Sequence, residues 1–266
     1  MRRIERMPTP QGIGTNQTAT LNLPLGPTYH RLNIRLKTGA GADIAAADWG
    51  NYIGEIRLMV NGDTRIEIDA ADLVKLNQFH GQTLTNGVLP LFLSQPWART
   101  MAGEDNTAYG TATGMASFTM EIDLKDTAFT GLEVYAVQSE PRPFGGHLRI
   151  QRFSKQMGLQ GTKEISDLPR GTYNMLGLHC TSGAIEKVEV LTNNLKVHES
   201  DKALRAAHYK VAGRAPQAGM THIDFMAENR LAEVLPMALN DFRVKLDFTA
   251  DNVNFKIYAL SIQGVV

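Results

Sequence analysis

Apolar and polar residues alternate with a period of two along most of this chain. Thr20-Leu21-Asn22-Leu23, Leu32-Asn33-Ile34-Arg35-Leu36 and Val244-Lys245-Leu246-Asp247-Phe248 are clear instances. Such alternation predicts strands with one buried and one wet face, as in antiparallel sheets. Ile56 to Val60 runs into Asn61-Gly62, and Val188 to Thr192 runs into Asn193-Asn194; both dipeptides tolerate the positive φ of a hairpin turn. Beyond each turn lies a short strand, Thr64 to Ile68 or Leu195 to His198, and then a helical stretch. The first helix is expected to start at Asp69 and cover Ala70 to Gln78, the second to start at Ser200 and cover Asp201 to Tyr209, because Asp and Ser oxygens accept from the free N–H groups of a helix start. Each half holds about seven or eight strands, the size of a sandwich or jelly roll. The βαβ alternation of a parallel sheet is absent.

The pattern occurs twice. Arg3-Ile4-Glu5-Arg6-Met7 aligns with Arg149-Ile150-Gln151-Arg152-Phe153, and Leu23-Pro24-Leu25-Gly26-Pro27-Thr28-Tyr29 aligns with Leu168-Pro169-Arg170-Gly171-Thr172-Tyr173. Ile56 to Gly62 matches Val188 to Asn194, Phe118 to Leu124 matches Phe242 to Phe248, and Val134 to Val137 matches Ile257 to Leu260. An ordered series of this kind marks a duplicated unit. The predicted architecture is therefore all-β: two tandem jelly-roll sandwiches, residues 1–139 and 147–266, with short helices in loops. The Pro- and Gly-rich stretch 140–146 is the linker. Two insertions lengthen the first copy, Gly39 to Asn51 and Gln95 to Gly114, and both are expected to be surface loops.

Charge and cysteine content narrow the function. Lys plus Arg and Asp plus Glu are both 27, so the net charge is zero. That balance does not suggest general nucleic-acid binding, which needs a basic face, and nucleic acid is not expected as a partner. Cys180 is the one cysteine and reads as a buried apolar residue. No apolar run is long enough to span a membrane, and the basic Met1-Arg2-Arg3 leads into no apolar stretch of a secretion signal.

The segment Asn16-Gln17-Thr18-Ala19-Thr20-Leu21-Asn22-Leu23-Pro24-Leu25-Gly26-Pro27-Thr28-Tyr29-His30 resembles the start of the major coat proteins of corticoviruses and related proviruses, which are tailless icosahedral phages with an internal membrane. The two-copy plan and overall length are similar as well. The resemblance implies a double jelly roll and a homotrimer with pseudo-six-fold symmetry. It implies an icosahedral shell in the virion, assembled inside the host cell, in which this chain contacts itself, neighbouring capsomers, a vertex (penton) protein and the membrane or membrane proteins beneath. It also implies structural calcium in the shell, without locating it.

No residue pattern here points to catalysis, and no cofactor is expected beyond that calcium. The seven histidines form no His-x-His or His-x-x-x-His pair, so zinc-type sites lack support. His179 and Cys180 are strand neighbours and point to opposite faces. Gly12-Ile13-Gly14 and Gly145-Gly146 precede no helix and make no phosphate loop. Glu104 and Asp105, beside Asn106 in the longer insertion, are candidate calcium ligands, although their spacing is not that of a regular calcium loop. Asp63, Asp69 and Asp72 are explained by turn and cap roles. Arg2, Arg3 and Arg6, with Arg149, Arg152 and Lys155 in the second copy, form equivalent basic clusters: a charged strand edge that discourages pairing or an inner face near anionic lipid headgroups. The alternative reading is a duplicated β-sandwich serving as a carbohydrate-binding module or enzyme. It would need aromatic residues gathered on one face, and Trp49 and Trp97 are the two tryptophans available.

Overall fold

The computed structural model describes residues 1–264. The first half contains β1 (Arg3–Arg6), β2 (Thr18–Asn22), β3 (Thr28–Thr38), α1 (Trp49–Tyr52), β4 (Ile53–Val60), β5 (Asp63–Asp69), α2 (Ala70–Phe79), β6 (Val88–Phe92), α3 (Met101–Asp105), β7 (Tyr109–Gly110), β8 (Phe118–Leu124) and β9 (Phe129–Ser139). The second contains β10 (His147–Met157), β11 (Gly161–Ile165), β12 (Asn174–Cys180), β13 (Ile185–Thr192), β14 (Leu195–Asp201), α4 (Lys202–Val211), β15 (Thr221–Asp224), β16 (Leu235–Pro236), β17 (Phe242–Phe248) and β18 (Val253–Gln263).

Each half folds into two sheets with the same strand order. In the first, β1-β9-β3-β6 faces β5-β4-β8-β2; in the second, β10-β18-β12-β15 faces β14-β13-β17-β11. Alternating side chains fill the space between, so β8 buries Phe118, Met120, Ile122 and Leu124 as β17 buries Phe242, Val244, Leu246 and Phe248. The chain is a double jelly roll.

The duplication extends to register. Arg3 pairs with Gln138 and Arg149 with Ser261. Ile56 pairs with Ile68 and Val188 with Ser200, and the ladder slips after Leu58 and after Val190, the same place in both copies. Ile56 faces Ile122 as Val188 faces Leu246. One stretch departs from the sequence alignment. Tyr29 pairs with Gln138, but the residue in that position of the second roll is Met175, opposite Ser261, two places beyond Tyr173. The aligned tyrosines nevertheless do the same thing: each hydroxyl donates to the carbonyl of the aligned proline, Tyr29 to Pro24 at 2.6 Å and Tyr173 to Pro169.

Local expectations needed three corrections. The second helix starts at Lys202, because β14 stays paired to β13 through Asp201; Asp201, not Ser200, caps it, accepting from Leu204 N at 2.8 Å. Asp69 precedes α2 but makes no side-chain cap bond, its carboxylate being taken by Arg152 and Lys256. The insertions are not plain surface loops. Ile44 and Trp49 enter the first core, and Thr107, Ala108, Tyr109 and Thr111 are buried. Their small-residue composition hid the few large side chains that anchor them.

Candidate functional site

The chemistry of this molecule is concentrated where the two rolls meet. The second sheet of the first roll and the first sheet of the second roll run together into one nine-stranded sheet through β5 and β10. These strands are parallel and share a single backbone bridge, Ile150 to Ile66; both side chains are buried. Side chains do the rest. Arg152 on β10 reaches Glu55 at 2.5 Å, Asp69 at 3.0 Å and also Glu67. Lys256 reaches Asp69, and the Tyr258 hydroxyl donates to Asp72 at 2.8 Å. Asp69 and Asp72 thus serve the junction rather than a helix cap or turn. Burial holds the Asp72 carboxyl above its ordinary range, partly opposed by that hydrogen bond.

An aromatic layer continues the junction. Phe79, at the end of α2, stacks on His222 with ring centres 3.9 Å apart and meets Tyr209 and His179 edge-on. His80 stacks on Trp97 at 4.0 Å. His179 and His222 face each other across the β12–β15 ladder, with Nδ1 atoms 2.8 Å apart. Gln217 N–H donates to His222 Nε2 at 3.4 Å, so neutral His222 keeps its proton on Nδ1 and donates it to His179. Burial, with Arg214 adding to it, pushes His179 down to about 3; burial also takes His80 and His222 well below their ordinary value. Beneath them Arg214 Nε donates to Asp224 at 2.9 Å, both side chains buried. No sequence spacing announces this cluster, since its histidines come from a helix end and two different strands. The cavity beside it is about 30 Å³, room for a water rather than a substrate.

The longer insertion and the linker lock the first roll to the second. The Tyr109 hydroxyl donates to the Leu148 carbonyl, and Leu148 N–H to the Thr107 carbonyl at 3.1 Å. Ala112 N–H donates to Arg142 O at 3.0 Å and Phe144 N–H to Thr113 O at 2.9 Å. A Cβ on Gly110 would overlap the carbonyl oxygens of Arg142 and Pro143, so only glycine fits there.

The six basic residues singled out by sequence fall into unlike settings. Arg2 clamps Glu104 at 2.6 Å and Asp105 at 2.7 Å. Arg3 lies 3.4 Å from Glu5 and Arg6 2.9 Å from Glu133, both largely exposed on β1. Arg149 is half-buried and donates to Gln263 at 3.0 Å, Arg152 is the junction residue, and Lys155 pairs with Asp167. The two calcium candidates are therefore joined to one of the basic candidates. Two carboxylates already holding a guanidinium do not fit an ion that takes six to eight oxygens, and no group of three or more potential metal-ligating side chains occurs among the described residues. The tryptophans do not gather: Trp49 is sealed in the first core while Trp97 sits on His80.

Paired jelly rolls sharing a sheet, with an ion cluster and an aromatic layer holding them together, define a protein of the double jelly-roll class. Residues 4–139 match the family described as viral coat protein P2 N-terminal domain, and residues 147–265 the viral coat protein P2 C-terminal domain. The chain belongs to this P2 coat-protein family, a structural component of the virion shell and not an enzyme. Among solved structures, it is similar to the major capsid protein P2 of bacteriophage PM2, with 21% identity, TM-score 0.88 and coverage of 98% of this chain and 97% of that one. It also resembles the STIV MCP (12% identity, TM-score 0.71, coverage 98% and 96%) and the capsid of PBCV-1 virus (8% identity, TM-score 0.61, coverage 98% and 93%). No curated protein matches it by sequence.

Proposed function

We propose that three copies of this chain close into a pseudo-hexameric capsomer, and that such capsomers tile an icosahedral shell around an internal membrane, completed by a separate vertex protein. The observation that carries this is the register identity of the two rolls combined with their head-to-tail junction. Unlike edges meet inside the chain, so the contact is heterologous, and a heterologous contact repeated between copies closes into a ring when the rotation fits. Three chains supply six nearly equal lobes. The membrane beneath the shell rests on the family resemblance. Arg2, Arg149, Arg152 and Lys155 are committed within the chain and Arg6 is paired with Glu133, which leaves Arg3 as the side chain most open to anionic headgroups. Calcium at Glu104 and Asp105 would need further oxygens from a neighbouring copy and release of Arg2.

Native mass spectrometry tests the ring: the expected mass is three times the 29.2 kDa chain, and electron microscopy should show six-lobed particles. A stable monomer or dimer at micromolar concentration would overturn the reading.

A further inference from the structure

The intrachain junction has a vacant counterpart. In each roll, the strand in the place of β10 is β1, and the strand in the place of β5 is β14, as their registers against β9, β18, β4 and β13 require. Yet β5 and β10 pair with each other, whereas among the described residues β1 pairs only with β9 and β14 only with β13. We propose, on the reading of a closed ring, that β14 of one copy receives β1 of the next, parallel and in the register of β5 and β10, so that Ile4 lies against the neighbour's His198 as Ile150 lies against Ile66.

Three observations support it. The first is exposure. Ile150 is 3% exposed, but its counterpart Ile4 is 69% exposed; Phe79 is fully buried, but its counterpart at the end of α4, Val211, is 89% exposed. Of the ten large hydrophobic side chains left exposed among the described residues, five lie on β1, β14 or α4: Ile4, Leu195, Val197, Leu204 and Val211. Unpaired strand edges carrying apolar residues are templates for pairing. The second is charge. Arg152 contacts Glu67 and Asp69 at the junction; its counterpart Arg6 would meet the counterparts Glu199 and Asp201, which keep their charge. The third is compensation. Where Glu55 stands at the junction, the second roll has Lys187, and where Lys256 stands, the first roll has Glu133. The two positions change sign together, on opposite sides of the contact, as a retained ion cluster demands.

Ile4→Cys combined with His198→Cys tests the register. Adjacent strands bring paired Cα atoms to about 4.8 Å, within disulfide reach, and the native Cys180 is buried. Mild oxidation should convert the double variant to covalent trimer. Either single variant, or Ile4→Cys with the out-of-register Lys196→Cys, should cross-link at least about tenfold more slowly, because disulfide geometry is specific. In parallel, Arg6→Glu should weaken assembly about tenfold and Glu199→Arg in the same chain should restore it, the signature of a direct charge pair. A trimer by native mass spectrometry that neither cross-links at 4 and 198 nor responds to the charge swap overturns this docking while leaving the ring intact. An unmodified protein that stays monomeric overturns both.

Discussion

Strands β1 and β10 are one strand made twice, with the same partner register and nearly the same residues, yet their surroundings are opposite. Every residue of β1 is exposed, while β10 buries Leu148 and Ile150, the latter against Ile66 of β5. Position in a fold therefore does not determine what a residue does. Arg152 is the hub of an ion cluster, and Arg6, at the same place, holds one carboxylate at the surface. The difference between the halves measures what the junction contributes, and four experiments can sharpen it.

The largest contrast should lie between Phe79 and Val211. Phe79→Ala removes a fully buried ring from the junction and should cost about 3–5 kcal/mol, whereas Val211→Ala in the isolated chain should change stability by less than about 0.5 kcal/mol. Urea unfolding midpoints read this directly, and equal shifts would erase the distinction between the two helix ends. Acid should come next. Because His80, His179 and His222 are held neutral, their contribution is fully present above the unfolded value near pH 6.5 and is lost as pH falls toward the folded value, about 3 for His179. His179 alone should lower stability by about 1.4 kcal/mol per pH unit in that window. A profile unchanged between pH 7 and 4.5, or one that His179→Gln does not flatten, would contradict it. The third effect concerns the insertion that only the first roll carries. Gly110→Ala should cost about 1–3 kcal/mol through overlap with the linker carbonyls, and thermal melting of wild type and variant would show it. The smallest is a predicted equality: Thr18 donates to Asp123 and Thr162 to Asp247 at the same place in each roll, so Thr18→Ala and Thr162→Ala should each cost about 1 kcal/mol. A large difference between them would mean that the rolls differ where their registers agree.

Much of this was legible in the residues. The aligned segments Arg3/Arg149, Ile56/Val188, Phe118/Phe242 and Val134/Ile257 occupy matching ladder positions, because alternation and turn chemistry are local and a register follows from them. The alignment matched Tyr29 with Tyr173, which make the same hydrogen bond to proline in the structure, but it missed the strand register by two, since the turn before β12 differs in length. The junction was not legible. Asp69 looked like a helix cap by every local rule, and only tertiary placement sends its carboxylate to Arg152 and Lys256. His179 and His222 meet because two strands pair, a relation that no spacing along the chain encodes. Trp49 and Tyr109 disappeared into segments whose Gly and Ala content suggested solvent.

The seam between the rolls also has a mechanical meaning. The ladder between β10 and β18 is tied by eleven residue pairs, but β5 and β10 share one bridge flanked by long ionic side chains. A shell under load from within must bend somewhere, and backbone ladders resist bending far more stiffly than an Arg or Lys that can swing and stay paired. Compliance should concentrate along this strand pair, while the bonds of Tyr109, Leu148 and Phe144 hold the rolls together beside it.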